Sequence, residues 1–525
     1  MRILIFHGYL LSGTGSNVYT ARLCEALVRL GHEVHLLSQD RRAGEQPFVD
    51  AVGEWEGGRL ELRRIREPVR VTVYRPDIGS LLPVYVLDRY EGFEARSFLD
   101  TSDAEVERYL AANVAAVREL RALAEPDVAL ANHLVMGPVI LARGLEGSVP
   151  YAVKIHGSAL EYTVKPAPDR FLGLAREGLA GASAVLVGSA HTARSLWEAL
   201  GDRRVQSITR LGPPGVDVAL FRPLEEEDGL DAGGCLERLR GGLRAEACAR
   251  AGGARGGDDF ARDAAAAAAA LERVDPAAGP VVSFVGKLIV SKGVDLLLAA
   301  WPLVLQRRPE AHLVVVGFGA YRRGLEELAG ALGAAGLERA REIARLGRRL
   351  EGGEDGKPLR HLLAFLDGLS GEEAERYRRA ATGLEQSVSF TGRLDHADLA
   401  LLLPASQAVV VPSTFPESFG MIAAEASACA ALPVSAGHSG LLEVSNVLAA
   451  ALPEAARPWL SFALDDRAVP AIAARVLAWL DAPEELRAAT RAALVRTVRE
   501  RFSWEGVARS VIAAARGELD ELLAP

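Results

Sequence analysis

The chain has 525 residues, 49% hydrophobic and 25% charged, with a formal net charge of −9. That length exceeds one ordinary core and suits two domains of about 200 residues each, plus extra material. The acidic balance excludes nucleic acid as the main partner, because phosphate backbones demand a strongly basic surface.

The first forty residues read strand, glycine loop, helix, strand. Residues 3–6 are a short apolar run, Gly13-Thr14-Gly15-Ser16 is a tight loop, 18–30 carry helical apolar spacing up to Gly31, and 33–37 form the next strand. This βαβ opening implies a parallel sheet. The stretch RLELRRIREPVRVTVYR carries Arg59, Arg63, Arg64, Arg66, Arg70 and Arg75. It reads as a solvated edge hairpin, with a phosphorylated acceptor or an anionic membrane surface as the alternative partner. Buried strands follow at 128–131, 150–155 and 184–187, and PPGVDVALFRP (213–223) reads as an interdomain hinge. A second βα series starts at Val281, with strands VVSFVG, HLVVVG, SVSFTG and AVVVPS. Such Val-rich runs suit strands buried on both faces. Two segments break the rhythm and read as helical insertions: 224–278, with the alanine run 264–270 and an expectation of partial disorder, and 331–386. The expected organisation is a Rossmann-like domain over 1–223, an Ala/Gly-rich insertion or linker over 224–278, a second Rossmann-like domain over 279–504 containing the 331–386 insertion, and a last helix over 505–525.

The four cysteines, Cys24, Cys235, Cys248 and Cys429, form no C-x-x-C pair and read as buried thiols in a reducing compartment. The N-terminus lacks a signal-peptide core, and no run reaches the ~18 apolar residues of a membrane span, so the chain reads as cytoplasmic.

The strongest chemical signal is FPESFGMIAAEA, which follows the strand AVVVPS and opens a helix. Glu417 and Glu425 lie eight residues apart, ~12 Å along the axis if the whole span were helical. One carboxylate can accept hydrogen bonds from a sugar and the other can chelate a ribose diol. The amides of Phe419, Gly420 and Met421 lie near the helix start, where they can face sugar or phosphates. GKLIVSKG is the second signal. The chain has only five lysines, Lys154, Lys165, Lys287, Lys292 and Lys357, and two of them share this strand-end loop, where they can converge on a diphosphate. Gly317 and Gly319 end one strand, and Gly392-Arg393-Leu394 ends another, on the edge where α/β folds bind ligands. His156, next to Gly157 and Ser158, and His133 in ANHLVMG also stand at strand ends. The Gly13–Gly15 loop offers amides to a phosphate, and Asp40 stands where a ribose-binding acid would. However, Val18 occupies the place of the third glycine of a dinucleotide fingerprint, so the nicotinamide reading is disfavoured.

Taken in order, these positions resemble the retaining glycosyltransferases of the GT-B fold, in the large family numbered 4. The matched set is the loop Gly13 to Gly15, His156, PPGVDVALFRP, GKLIVSKGVDLLLAA, VVVGFG, the Glu417 and Glu425 pair, and RFSWEGVA. The resemblance implies an α/β protein with two Rossmann-like domains facing a central cleft, the first for the acceptor and the second for the donor nucleotide, and a last helix that crosses back to the first. It implies Lys287 and Lys292 on the donor diphosphate, Glu425 on the ribose, Glu417 on the transferred sugar with the amides around Phe419 and Gly420, and His156 near the reacting carbon. Gly15, Gly317, Gly319, Arg393, Leu394 and Met421 complete the donor set. His133 and Ser158 face the acceptor. No metal and no cofactor are implied beyond a UDP- or GDP-linked sugar as substrate. The acceptor is a sugar, polyol or lipid-linked hydroxyl, and peripheral membrane contact is compatible with the sequence. Three features depart from the family pattern: Lys287 stands in place of the usual Arg, the turn Ala430-Ala431 lacks glycine, and the two insertions are additional. A nucleotide-sugar epimerase, a phosphorylase or a silent sugar-nucleotide sensor on the same architecture are the competing readings.

Overall fold

A computed structural model describes residues 1–525 except 57, 87–89, 91, 225–228, 251–261 and 354–355. The chain forms two compact units, one of Met1–Gly215 with Phe502–Pro525 and one of Val216–Arg501.

The first unit contains β1 (Arg2–Phe6), β2 (Glu33–Leu37), β3 (Ala51–Glu56), β4 (Arg59–Arg64), β5 (Val71–Arg75), β6 (Leu81–Val84), β7 (Glu94–Ser97), β8 (Val128–Asn132), β9 (Tyr151–Ile155), β10 (Ala184–Val187) and β11 (Thr209–Leu211). Among the described residues nine of these form one sheet, ordered β11-β10-β9-β8-β1-β2-β5-β3-β4, while β6 and β7 pair separately. All neighbours in the large sheet are parallel except β3 and β4. Successive strand residues point to opposite faces, so each strand feeds two cores. Leu4 and Phe6 of β1 join Ala129 and Ala131 of β8 on one face, whereas Ile3 and Ile5 join Val128 and Leu130 on the other. This double burial explains the continuous apolar runs.

Residues 502–525 belong to this unit. Trp504, Val507, Ala508, Val511 and Ala514 complete the second of its cores against the helix Gly15–Arg29. The Tyr19 and Trp504 rings lie 5.5 Å apart, and Arg29 donates to Glu505 at 2.8 Å.

The arginine-rich stretch is not one hairpin. Its first part is the edge strand β4, antiparallel to β3. Its last part is β5, an interior strand between β2 and β3 with four of five residues buried. Several of its charges are spent locally. Arg64 pairs with Glu67 and Arg75 with Glu54, while Arg66 donates to the carbonyls of Gln46 and Val49.

In the second unit lie β12 (Val281–Val285), β13 (His312–Val316), β14 (Val388–Gly392), β15 (Ala408–Val411), β16 (Leu432–Ala436) and β17 (Ser461–Phe462). Among the described residues they form a wholly parallel sheet ordered β14-β13-β12-β15-β16-β17. Counted within the unit, this is the 3-2-1-4-5-6 order of a doubly wound sheet. Such sheets bind ligands where the winding reverses, outside the carboxyl ends of the two central strands. The reversal here lies between β12 and β15. In the first unit it lies between β1 and β8.

The 224–278 segment contributes two helices to this unit, Ala232–Arg250 and Ala264–Leu271, packed on each other. Arg262, nearly buried, pairs with Glu246 of the first helix at 2.6 Å and with Asp395 at 2.9 Å and Asp398 at 2.6 Å. Where the expectation of partial disorder reaches 225–228 and 251–261, it lies outside the described residues. The 331–386 segment is a run of helices from Arg322–Gly333 to Leu384–Ser387. Of the cysteines, Cys24, Cys235 and Cys429 are buried, but Cys248 is exposed, contrary to expectation. Among the described residues no helix is long and apolar enough to cross a membrane.

Candidate active site

The carboxyl ends of β12 and β15 bring Lys292 and Glu417 together. The loop after β12 makes one short helical turn, Val290–Lys292, and closes at Gly293. A side chain at Gly293 would collide with the Pro412 carbonyl at 2.0 Å, so glycine there lets the two loops touch. Thr414 donates its N–H to the Ser291 carbonyl at 2.8 Å, and Leu288 donates to Phe318 at 2.7 Å. Lys292 is thereby held facing the β15 loop, and its Nζ donates to Glu417 Oε1 at 2.5 Å. Ser413 Oγ donates to the same oxygen at 2.6 Å. Among the described residues no protein donor reaches Oε2. Burial pushes the Glu417 carboxyl up, but Lys292, Ser413 and the nearby His438 outweigh it and hold the group below its ordinary value. Glu417 is ionised at neutral pH.

Lys287 leans over the Phe318 ring, 5.9 Å from its centroid. The helix after β15 begins only at Met421, with Gly420 at φ +140. The wholly helical spacing of the two glutamates therefore does not apply. Glu417 lies in the loop, and Glu425 lies in the helix, buried, with His396 Nε2 3.6 Å from its Oε1. Gly317 and Gly319 answer a packing need, since a side chain at either would strike the Gly286 or Leu288 carbonyl at 1.9 and 2.5 Å. Arg393 is held by Asp395 at 2.9 Å, and the Leu394 side chain is buried. Phe419 is buried, and its backbone packs against Gly440, where a Cβ would come within 2.6 Å of the Phe419 nitrogen.

In the first unit three imidazoles meet at the carboxyl ends of β1, β8 and β9. The His133 and His156 centroids are 4.9 Å apart, and those of His7 and His133 are 6.0 Å apart. Asn132 donates its amide to Thr20 Oγ1, which turns its Oδ1 toward His156. His156 Nε2 therefore carries the proton and donates at 2.7 Å. His133 does not open to an acceptor as expected. It is buried against His7, Tyr9 and Tyr85, and neither ring nitrogen finds a partner or solvent. Ser158 begins the helical turn after β9. Gly15 is the first residue of its helix, following Thr14. Asp40 accepts backbone N–H bonds from Leu11 at 3.0 Å and Arg42 at 2.9 Å, so its carboxylate fastens loops and is not set for a ribose.

Sequence reasoning passed over His7, Lys154, Ser413 and His438. His7 ends β1 as His156 ends β9, and the same strand-end logic identifies it. Lys154 is buried and donates to the Gly212 carbonyl at 2.5 Å, and burial pushes it down to about 7. Burial likewise lowers His7 to about 4, and it holds His133 and His156 well below the usual range, helped by their mutual repulsion. The folded state keeps these rings neutral, while the unfolded chain protonates them below about 6.5. Stability is therefore expected to fall as pH drops from about 6.5 toward 4, by about 3 kcal/mol for His7 alone. Melting temperatures across that window check this, and His133→Asn should flatten the slope. An unchanged slope would remove His133 as a contributor.

Among the described residues no group of three or more His, Cys, Asp or Glu side chains is arranged to hold a metal ion.

Comparison with known proteins gives a consistent family. The glycosyl transferase 4-like domain matches residues 14–213, and glycosyl transferases group 1 match 279–351 and 361–493. The chain belongs to the GT-B glycosyltransferases of the family 4 type. It is 31% identical over 308 residues to a D-inositol 3-phosphate glycosyltransferase of Segniliparus rotundus, covering 58% of this chain and 46% of that protein. It is 26% identical over 232 residues to a GDP-mannose-dependent monoacylated alpha-(1-6)-phosphatidylinositol monomannoside mannosyltransferase of Corynebacterium glutamicum, covering 43% and 44%. The chain thus spans about half the length of the curated relatives it matches. The solved structure of Anabaena HepE with UDP-glucose shares the fold, with a TM-score of 0.54 at 17% identity over 99% of this glycosyltransferase-family chain and 100% of that one.

Proposed function

We propose that the chain transfers a hexosyl group from a UDP- or GDP-linked sugar to an acceptor hydroxyl, with retention of configuration and without a metal ion. The observation that carries this reading is the Lys292–Glu417 pair at the switch point of the second sheet, with Oε1 tied down and Oε2 open. A cation for phosphate and an oriented acceptor for a sugar hydroxyl stand side by side, which suits a sugar linked to a diphosphate. The GDP-mannose dependence in the name of the Corynebacterium glutamicum relative and the UDP-glucose bound by HepE support the donor class.

In this reading Lys287 and Lys292 meet the diphosphate, with the amides of Gly420 and Met421 at the helix start. Glu425 takes the ribose, and Gly15, Gly317, Gly319, Arg393, Leu394 and Phe419 complete the donor contacts. His156 contacts the transferred sugar, and Ser158 lies on the acceptor side. The bond from the anomeric carbon to the phosphate oxygen breaks as the acceptor oxygen attacks from the same face. The leaving phosphate oxygen takes the acceptor proton, and Glu417 positions the sugar without forming a covalent intermediate. Because lysines meet the phosphate charge, turnover should persist in excess EDTA. Glu425→Gln should weaken UDP or GDP and the corresponding nucleotide sugar by the same factor, about tenfold or more for a lost charged hydrogen bond. Calorimetry with both ligand types in EDTA tests the reading. Unchanged affinities, or binding that needs magnesium or manganese, would overturn it.

A further inference from the structure

Glu417 is fixed by more than Lys292. The loop after β16 carries His438 and Ser439, which lie against the loop after β15. Gly440 donates its N–H to the Glu417 carbonyl at 2.9 Å, and its lack of a side chain lets the backbones meet. The His438 ring spans two contacts. Its Nε2 lies 2.8 Å from the Ser413 carbonyl and its Nδ1 lies 3.0 Å from Ser439 Oγ. A carbonyl only accepts, so in the neutral ring Nε2 carries the hydrogen and Nδ1 the lone pair. Ser439 O–H therefore donates to Nδ1, and its oxygen is free to accept the Glu417 backbone N–H at 2.9 Å. Ser413, whose carbonyl the ring holds, donates its own hydroxyl to Glu417 Oε1 at 2.6 Å.

We propose that His438 is a positioning residue for sugar recognition: it closes a ring of hydrogen bonds through Ser439, Glu417 and Ser413 that holds Glu417 by its backbone at one end and its carboxylate at the other. This rests on the reading of Glu417 as the group that contacts the transferred sugar. With Oε1 committed to two donors, the direction of Oε2 is set by how well the Ser413 and Glu417 backbones are held, and His438 is the side chain that joins them. His438 touches neither a phosphate-facing lysine nor Glu425 among these contacts. Its loss should therefore spare the nucleotide and affect the sugar.

The test is a double-mutant cycle on the whole chain, with binding read by calorimetry for UDP against UDP-glucose and for GDP against GDP-mannose. His438→Phe keeps the ring shape and removes both hydrogen bonds. It should lower the preference for nucleotide sugar over free nucleotide by about tenfold, with free-nucleotide affinity within about twofold of wild type. In a Glu417→Gln background the same change should add nothing further, because its effect passes through Glu417. His438→Asn, which can keep the Ser439 contact but not the Ser413 one, should fall between and serves if the Phe variant does not fold. An unchanged sugar preference in the His438 variants, an equal loss for nucleotide and nucleotide sugar, or full additivity with Glu417→Gln would each overturn the proposal. If Glu417→Gln alone leaves the preference intact, or neither ligand pair binds the wild-type chain, the donor reading falls instead.

Discussion

Glu417→Gln is expected to lower nucleotide-sugar turnover by about tenfold to a hundredfold, the cost of one charged hydrogen bond of roughly 1.5–3 kcal/mol. The free nucleotide should respond differently. In the resting chain Lys292 is already paired with Glu417 at 2.5 Å, so an arriving diphosphate competes with a carboxylate for the ammonium. Glutamine keeps the shape but not the charge, and Lys292 is released. Affinity for UDP or GDP should therefore stay constant or rise, while the sugar-bearing donor loses its oriented acceptor. The same competition gives the wild type a reason to favour donor over spent nucleotide. A sugar hydroxyl can occupy Glu417 once Lys292 has turned to phosphate, whereas free nucleotide leaves that half-buried carboxylate without its cation, with Ser413 as the remaining donor. Paired titrations with UDP and UDP-glucose, or GDP and GDP-mannose, beside steady-state rates, check both halves. A parallel loss for both ligands would make Glu417 a scaffold residue and not a sugar contact.

The parts of the fold that were legible in the sequence are those where one local rule dominates. A strand buried on both faces favours apolar residues throughout, so AVLV at 184–187 matches β10 residue for residue, and the strand of the βαβ opening at 33–37 matches β2. Strand β17 has two residues and no pattern of its own, and its existence depends on β16 beside it. The stretch 59–75 misled because charge was read without partners: β4 is an exposed edge, but β5 is interior, and Arg75 crosses to Glu54. The missing glycine at Ala430-Ala431 has a visible consequence, since Ala430 sits at φ +63, in the region that favours glycine. At the site, the residue types at strand ends were readable, but their pairing was not. Nothing in the spacing of GKLIVSKG and FPESFG says that Lys292 reaches Glu417 or that Lys287 leans on Phe318. His438 lies in a third loop, and its role appears only when β15 and β16 bring the loops side by side. His133 shows the converse, a strand-end histidine whose fate was decided by the rings around it.

Lys292→Ala should have the broadest effect on the donor site, because one side chain serves two ends of the ligand. Loss of a phosphate-facing ammonium should weaken free UDP or GDP by about tenfold to a hundredfold. The second consequence is a new pH dependence. In the wild type, burial raises the Glu417 carboxyl while Lys292 and Ser413 lower it, and the lowering wins. Without Lys292 the largest opposing charge is gone and burial acts against fewer partners, so the group must shift upward. The sign follows directly. An acid with a raised value becomes protonated sooner on acidification, so the variant should lose sugar preference as pH falls through the mildly acidic range, where the wild-type carboxylate stays ionised. A protonated Glu417 still has oxygens, but it loses the charge that strengthens its bond to a hydroxyl. The double variant Lys292→Ala with Glu417→Gln separates the two consequences. It should keep the weakened nucleotide binding and lose the acid limb, since no titrating group remains at that position. An acid limb that survives the double change would have to come from another group, and a Lys292→Ala chain that binds free nucleotide like wild type would take the lysine out of the phosphate site.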